Sequence, residues 1–132
     1  MSLDLALALK DLIEMRGESL ATAESCTGGR IGQLVTGISG ASAIYMGGVI
    51  SYSNTSKERI LKVPHRILAR YGAVSEPTAF YMAQNAKKLF GSTWSLSVTG
   101  ISGPLGGSAE KPVGFTCFGW SGPKGTATLS NK

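Results

Sequence analysis

The sequence predicts a single α/β domain built on a mixed β-sheet, and three observations carry this prediction. The 132 residues suit one domain, and 42% of them are apolar, which is enough for a hydrophobic core. Short apolar segments of strand character alternate with helical patterns, as is typical of α/β layering. The last two strand-like segments flank a turn rich in glycine and proline, so we expect an antiparallel hairpin there.

The elements follow from periodicity and from the residues that begin or end them. Apolar residues mixed with Lys10 and Asp11, and followed by Gly17, predict an amphipathic first helix. Pro64 breaks one helical segment, and Pro77 suits the first position of another. Strands are predicted over residues 19–23, 44–53, 94–99, 113–120 and 126–129. Helices are predicted over residues 3–16, from 29 through 35, 55–62, on to about 71, and 77–90. The glycine-rich segment 100–112 is expected to be a loop.

Composition excludes several classes of function. The two cysteines, Cys26 and Cys117, are too few for a disulfide scaffold and lie in no CxxC motif, which excludes zinc ribbons and fingers. Both aspartates, Asp4 and Asp11, lie in the first dozen residues, so clustered oxygen ligands for magnesium or calcium are hard to assemble. His65 is the only histidine and lacks an obvious partner for a Ser-His-Asp triad. We therefore expect no metal and no cofactor.

The first helix carries charges and is not the uninterrupted apolar segment of a signal peptide. The longest uncharged run, 31–56, is interrupted by glycines and hydroxyl residues and is not a membrane span. The sequence predicts a cytoplasmic protein with reduced thiols and no membrane partner.

The first candidate site is the segment 24–29, ESCTGG, where a strand ends and a helix begins. The N–H groups of a helix N-terminus suit an oxyanion or a phosphate, and Gly28 and Gly29 let the backbone approach a ligand. The alternative is that Ser25 or Thr27 is only the helix N-cap, and spacing alone slightly favours this reading.

The second candidate is the segment 52–57, YSNTSK. A serine nucleophile needs a base, and without histidine the candidates are lysine or tyrosine. A partly buried lysine can lose its proton near neutral pH. Taken alone, the segment favours a plainer interpretation, in which Lys57 is solvated and Tyr52 packs on the sheet.

The third candidate is the segment 99–107, TGISGPLGG, whose composition is that of a backbone anion nest. It lacks the lysine spacing of a Walker loop, and Lys111 follows too late to replace it. Glycine-rich turns are usually structural, so this signal is weak in isolation.

Two further features receive plain interpretations. Five of the 13 basic residues fall between Lys57 and Arg70, which we interpret as a solvated helix face that could also attract anions. Cys26 adjoins Ser25, but neighbouring side chains diverge, so we interpret Cys26 as a packing residue and not as a thiol nucleophile.

Together, four segments resemble the CinA C-terminal domain family. They are TAESCTGG (22–29), GGVISYSNTSKERIL (47–61), GAVSEPTA (72–79) and VTGISGPLGGSAEKPVG (98–114), in the family order and spacing, and the resemblance covers 20–119. It implies a three-layer α/β/α fold with a mixed β-sheet. The family includes nicotinamide-nucleotide amidases, which hydrolyse nicotinamide mononucleotide to nicotinate mononucleotide and ammonia.

The resemblance implies a catalytic set in which Ser25 is the nucleophile and Tyr52 and Lys57 are its partners. Thr99 matches a hydroxyl position that lines the family's site. The residues expected to bind substrate are Thr27, Gly28, Gly29, Thr99, Gly100, Gly103, Gly106 and Gly107.

The sequence departs from the family at its end. Residues 1–132 are expected to form one CinA C-terminal-like domain that lacks the family's closing helix and the arginine that this segment contributes to the site. We therefore expect one thinly covered sheet face, weak amidase activity and a homo-oligomer in which a partner subunit covers apolar surface.

Two other functions stay open. One is a nucleotide-binding paralogue without catalysis, which binds a mononucleotide in the same pocket. The other, a distant third, is a nucleic-acid-associated protein, suggested by the basic run but lacking any recognised motif and aromatic residues among the charges.

Overall fold

The structure, a computed structural model, describes residues 3–103 and 106–131. Its strands and helices lie within a few residues of the predicted positions. The strands are β1 Leu20–Glu24, β2 Tyr45–Ile50, β3 Trp94–Gly100, β4 Thr116–Gly122 and β5 Gly125–Asn131. The helices are α1 Leu3–Met15, α2 Arg30–Thr36, α3 Asn54–Arg59, α4 His65–Tyr71 and α5 Glu76–Phe90, with a short 3₁₀ turn at Ala41–Ala43.

The five strands form one mixed sheet in the order β2-β1-β3-β4-β5. Strand β1 pairs in parallel with β2 and with β3, whereas β4 runs antiparallel to β3 and to β5. The predicted α/β domain with a mixed sheet and a terminal hairpin is confirmed. Because β1, β2 and β3 are parallel, their carboxyl ends meet at one edge of the sheet, where ligands of such folds commonly bind.

One sheet face packs closely against α5. The hydroxyl of Ser97 on β3 donates to the carbonyl of Ala79 on α5 at 2.7 Å. Gly119 on β4 makes the approach possible, because a Cβ there would lie 2.5 Å from the same carbonyl oxygen. The core on this face comprises Ala23, Leu61, Val63, Ile67, Leu68, Met82 and Ala86.

The opposite face packs against α1 and α2 only in part. Its core comprises Ile13, Leu20, Val35, Ala41 and Ile44. Farther along the sheet, Trp120 is 41% exposed and Leu129 is 56% exposed. Leu12 of α1 and Trp94 line a groove of about 380 Å³ beside Trp120. We call Leu12, Trp94, Trp120 and Leu129 the open face.

Three predicted boundaries shift for local reasons. Strand β4 begins at Thr116 and not at 113, because Phe115 N–H turns back to the Pro112 carbonyl at 2.9 Å. Helix α3 ends at Arg59, and the chain then passes through a left-handed residue, Lys62, with φ 54°. Strand β2 ends at Ile50, because the carbonyl groups that follow it face a lysine of the site.

Candidate functional site

The segments that follow β1 and β2 are joined at the carboxyl edge of the sheet. Ser25, directly after β1, donates its N–H to the Val98 carbonyl at 3.0 Å. Ser51, directly after β2, donates its N–H to the Glu24 carbonyl at 2.7 Å. These bonds extend the parallel pairing by one residue, so the backbone around both serines is fixed by the sheet.

Lys57 reaches this edge from α3. The helix begins where the Ser53 hydroxyl accepts the Ser56 N–H at 3.0 Å, an N-cap that fixes its first turn. Lys57 N–H donates to the Ser53 carbonyl at 3.1 Å. Only 1% of Lys57 is exposed. The interpretation of Lys57 as a solvated residue is therefore wrong, and the lysine is buried.

The Lys57 ammonium makes three contacts. Its Nζ lies 2.9 Å from Ser25 Oγ, 2.7 Å from the Ser51 carbonyl oxygen and 3.1 Å from the Tyr52 carbonyl oxygen. Both Ser25 and Ser51 are buried. The three acceptors match the three protons of an ammonium group.

This arrangement can also hold the neutral amine. Carbonyl oxygens only accept, so in either protonation state two N–H groups of Lys57 face Ser51 and Tyr52. The third position then carries either a proton donated to Ser25 or a lone pair aimed at the Ser25 hydroxyl. Burial lowers the pKa of Lys57 from 10.5 to about 8, because the charged form loses its hydration. The geometry is that of a serine beside a base.

Tyr52 contributes backbone and not its ring to these contacts. Its side chain is 70% exposed, and its hydroxyl has no hydrogen-bond partner among the described residues. The interpretation of Tyr52 as a residue packing on the sheet is therefore wrong. Thr99 is buried, with 1% of the residue exposed. Its hydroxyl donates to the Ala73 carbonyl at 2.9 Å.

Glu24 is the site residue that sequence reasoning missed. It is 3% exposed, and its Oε1 accepts from the Thr27 hydroxyl at 2.6 Å, Gly29 N–H at 3.1 Å and Ile31 N–H at 3.0 Å. Its Oε2 accepts from Gly32 N–H at 2.9 Å. An acidic residue at the end of an apolar strand, a few residues before a helix, was the available signal.

The Glu24 carboxylate therefore serves the N-terminus of α2. Neither Ser25 nor Thr27 caps this helix, contrary to the N-cap alternative, and Gly29 is the N-cap with φ 109°. Gly28 N–H donates to the Ser25 carbonyl at 3.1 Å. Among the described residues, the amide N–H groups of Cys26 and Thr27 donate to no oxygen.

Cys26 packs against Gly100, the last residue of β3. A Cβ on Gly100 would lie 3.0 Å from the Cys26 sulfur, so the glycine makes room for the half-buried thiol. Burial raises the pKa of Cys26, although the amide N–H groups of Cys26 and Thr27 and the charge of Lys57 act in the opposite direction. A raised pKa disfavours the thiolate, which supports the packing interpretation.

The glycines of the third segment differ in their surroundings. A Cβ on Gly107 would lie 2.6 Å from the Val113 nitrogen, so close packing accounts for this glycine. Gly106 has φ 96° and Gly103 lies in a bend. Pro104 and Leu105, at the centre of the predicted nest, lie outside the described residues. Lys111 donates to the Tyr71 carbonyl at 2.6 Å, which ties the loop to α4.

The other basic residues between 57 and 70 fit the solvated-face interpretation. Arg59, Lys62, Arg66 and Arg70 are all exposed. In the described ranges, 3–103 and 106–131, no three His, Cys, Asp or Glu side chains come together as metal ligands. Within the same ranges, every helix is too short or too polar to cross a membrane.

Fold and site define an α/β domain that holds a buried lysine against a serine at the carboxyl edge of its parallel strands. The chain belongs to the CinA C-terminal domain family, whose profile matches residues 3–132. The family resemblance read from the sequence is confirmed.

Curated relatives carry the same family name. A CinA-like protein of Acaryochloris marina is 54% identical over 118 residues, which are 89% of this chain and 28% of that protein. A CinA-like protein of Parasynechococcus marenigrum is 47% identical over 128 residues, which are 97% of this chain and 30% of that protein. The chain thus spans less than a third of the length of these relatives.

Solved structures agree with the fold. The competence/damage inducible protein CihA from Agrobacterium tumefaciens superposes with a TM-score of 0.91 at 39% identity, covering 98% of this chain and 78% of that one. A CinA superfamily protein from Escherichia coli superposes with a TM-score of 0.93 at 31% identity, covering 98% and 76%.

Proposed function

We propose that this domain is an amidohydrolase that converts nicotinamide mononucleotide to nicotinate mononucleotide and ammonia, as in salvage of pyridine nucleotides. The 2.9 Å contact between Lys57 Nζ and Ser25 Oγ carries the proposal, because it pairs a nucleophile with a base of lowered pKa. The substrate itself comes from the family resemblance.

In the first half of the reaction, neutral Lys57 takes the Ser25 proton as Ser25 Oγ attacks the carboxamide carbon. The resulting Lys57 ammonium returns that proton to the leaving nitrogen, and ammonia departs from an acyl-enzyme ester. The direct contact favours proton transfer between Lys57 and Ser25 without Tyr52 as an intermediary, because the Tyr52 ring is exposed.

The oxyanion needs N–H donors that do not already serve another oxygen. Glu24 accepts the N–H groups of Gly29, Ile31 and Gly32, so the donors available in the 25–29 turn are the amides of Cys26 and Thr27. Two N–H groups directly after a nucleophile suit this role.

The second half of the reaction mirrors the first. Water attacks the acyl-enzyme while Lys57 accepts one proton, and this proton returns to Ser25 as the ester C–O bond breaks. The products are a regenerated serine and the carboxylic acid, which ionises to the carboxylate by releasing its proton to solvent. No metal or cofactor takes part in this scheme, and the 100–107 loop with nearby basic residues is proposed to hold the phosphate.

Ammonia release from purified protein and nicotinamide mononucleotide tests the proposal. Ser25→Ala should abolish turnover and leave calorimetric binding of the mononucleotide within a few-fold, since only the nucleophile is removed. Ser39→Ala, at an exposed serine of the same chain, is the matched control and should keep the wild-type rate. An unchanged rate in Ser25→Ala contradicts the assignment. Binding without ammonia from the wild type would favour the nucleotide-binding paralogue.

The remaining expectations about partners are proposals of the same kind. We propose a homo-oligomer assembled through the open face, because exposed Trp120 and Leu129 form apolar surface that association would bury. A cytoplasmic location suits a nucleotide substrate. A nucleic-acid partner is not proposed.

A further inference from the structure

Glu24 precedes Ser25 in the chain and is linked to Lys57 through Ser51. Its carbonyl accepts the Ser51 N–H at 2.7 Å, and the Ser51 carbonyl in turn accepts from Lys57 at 2.7 Å. Its carboxylate accepts four hydrogen bonds from the turn and helix that follow Ser25. The chain from 24 to 32 is therefore held at one end by the Glu24 backbone and at the other by the Glu24 side chain.

We infer that Glu24 is a positioning residue, whose buried carboxylate holds the 25–29 turn so that Ser25 Oγ faces Lys57 and the Cys26 and Thr27 amides face the reacting carbonyl. This inference rests on the proposed function. It also excludes the N-terminus of α2 as the phosphate site, since the carboxylate already accepts the N–H groups of Gly29, Ile31 and Gly32. The substrate phosphate must then bind elsewhere.

The surroundings are shaped for a carboxylate at this position. Gly32 lacks a side chain where a Cβ would lie 3.5 Å from Glu24 Oε2 and 3.0 Å from the Tyr45 hydroxyl. The Tyr45 hydroxyl pairs with Thr22 Oγ1 at 2.6 Å, so these neighbouring groups are satisfied without Glu24. All four donors aimed at the carboxylate would lose their acceptor if it were removed.

Three substitutions separate positioning from general stability. Glu24→Gln can keep the three bonds at one oxygen but turns its NH₂ toward Gly32 N–H. Glu24→Ala removes all four bonds. Ser97→Ala removes the buried hydrogen bond to Ala79 on the opposite sheet face and is the matched control for lost stability.

The expected result is a loss in kcat at nearly constant KM. Misplacing a reacting atom by about 1 Å costs on the order of 100-fold, which we expect for Glu24→Ala, with about tenfold for Glu24→Gln. KM for nicotinamide mononucleotide should change by less than about threefold, because the phosphate is bound elsewhere. Ser97→Ala should keep kcat. A wild-type kcat in Glu24→Ala, or a loss confined to KM, overturns the inference.

Two readouts that need no amide substrate separate this inference from the proposed function. A fluorophosphonate that labels activated serines should modify Ser25 in the wild type and far more slowly in Glu24→Ala, as followed by mass spectrometry. Hydrogen exchange of amides 26–32 should accelerate in Glu24→Ala and not in Ser97→Ala. If labelling of Ser25 depends on Glu24 but the wild type releases no ammonia, the amidase proposal is wrong and this inference stands. If the wild type releases ammonia but exchange and labelling are unchanged in Glu24→Ala, this inference is wrong and the amidase proposal stands. If the wild type is neither labelled nor releases ammonia, both are wrong.

Discussion

A lysine removed from water loses more hydration as the ammonium than as the neutral amine, and Lys57 is 1% exposed. The lowered pKa of about 8 therefore has a structural cause, burial beneath the serine, and not a neighbouring positive charge. Two carbonyl acceptors hold Nζ in place whether or not it is charged. For the proposed reaction, this means that Lys57 is already placed beside the Ser25 hydroxyl before any proton moves.

The first prediction is a rate that rises with pH. One unit below a pKa of about 8, about a tenth of the molecules carry neutral Lys57, so kcat/KM should increase roughly tenfold per unit up to pH 8 and level off above it. The substrate phosphate has a second pKa of about 6 and is mostly dianionic from pH 7 upward. Above pH 7 the change in rate therefore reports the titration of Lys57 and not that of the substrate.

Two variants check the origin of that profile. Lys57→Arg should be inactive at every pH, because a guanidinium does not deprotonate in proteins. Lys62→Arg, at an exposed lysine, is the control and should keep the profile. A rate that is flat between pH 7 and pH 8 would show that neutral Lys57 is not the base.

At the scale of elements, α5 lies against the sheet through hydroxyl groups and glycine. Ser97 and Thr99 on β3 each donate to a backbone carbonyl, of Ala79 and Ala73 respectively. Thr99 thereby fixes the residues just before α5 beneath the site. Because backbone carbonyls accept these hydrogen bonds, α5 has little freedom to move away from the sheet if a larger side chain replaces Gly119.

The second prediction concerns Gly119→Ala. The new Cβ would lie 2.5 Å from the Ala79 carbonyl and 2.6 Å from Ser97 Oγ, and overpacking of this kind costs about 1–3 kcal/mol. Urea unfolding should show the loss as a lower midpoint. Gly37→Ala is the milder comparison, because φ at Gly37 is −72° and its new Cβ would come no closer than 3.3 Å, to the Gln33 carbonyl, so its midpoint should fall less than that of Gly119→Ala. Equal midpoints for the two variants would contradict the packing argument.

At the scale of the whole molecule, the two sheet faces are covered unequally. Helix α5 buries one face, whereas α1 and α2 leave the open face in contact with solvent. Apolar surface of this kind favours association, since burying a leucine or tryptophan side chain contributes roughly 1.5–3 kcal/mol.

The third prediction is that this chain self-associates through the open face. Leu12→Glu with Leu129→Glu should weaken association at least about tenfold, because each removes apolar surface and adds a charge. Sedimentation equilibrium measures the effect. Leu89→Glu is the control, since Leu89 is 55% exposed on α5, across the sheet. A wild-type chain that is monomeric at every concentration contradicts the homo-oligomer.

The sequence alone was sufficient for the order and type of the elements. Each of these rests on local information: periodicity for α1, Pro77 for the start of α5, and the glycine-flanked turn for the β4–β5 hairpin. The four family segments also pointed to Ser25 and Lys57, although the segment 52–57 taken alone favoured a solvated lysine. Boundaries such as the start of β4 shifted because they depend on single hydrogen bonds.

Tertiary structure decided what these residues contact. Lys57 is 32 positions from Ser25, and only the parallel pairing of β1 with β2 brings their segments together and excludes water from the amine. The tertiary structure also places the Glu24 carboxylate at the N-terminus of α2. The local sequence pattern had instead favoured a serine or threonine as the cap of this helix. A side chain's pKa and its hydrogen-bond partners depend on burial and on long-range neighbours, and the linear sequence specifies neither directly.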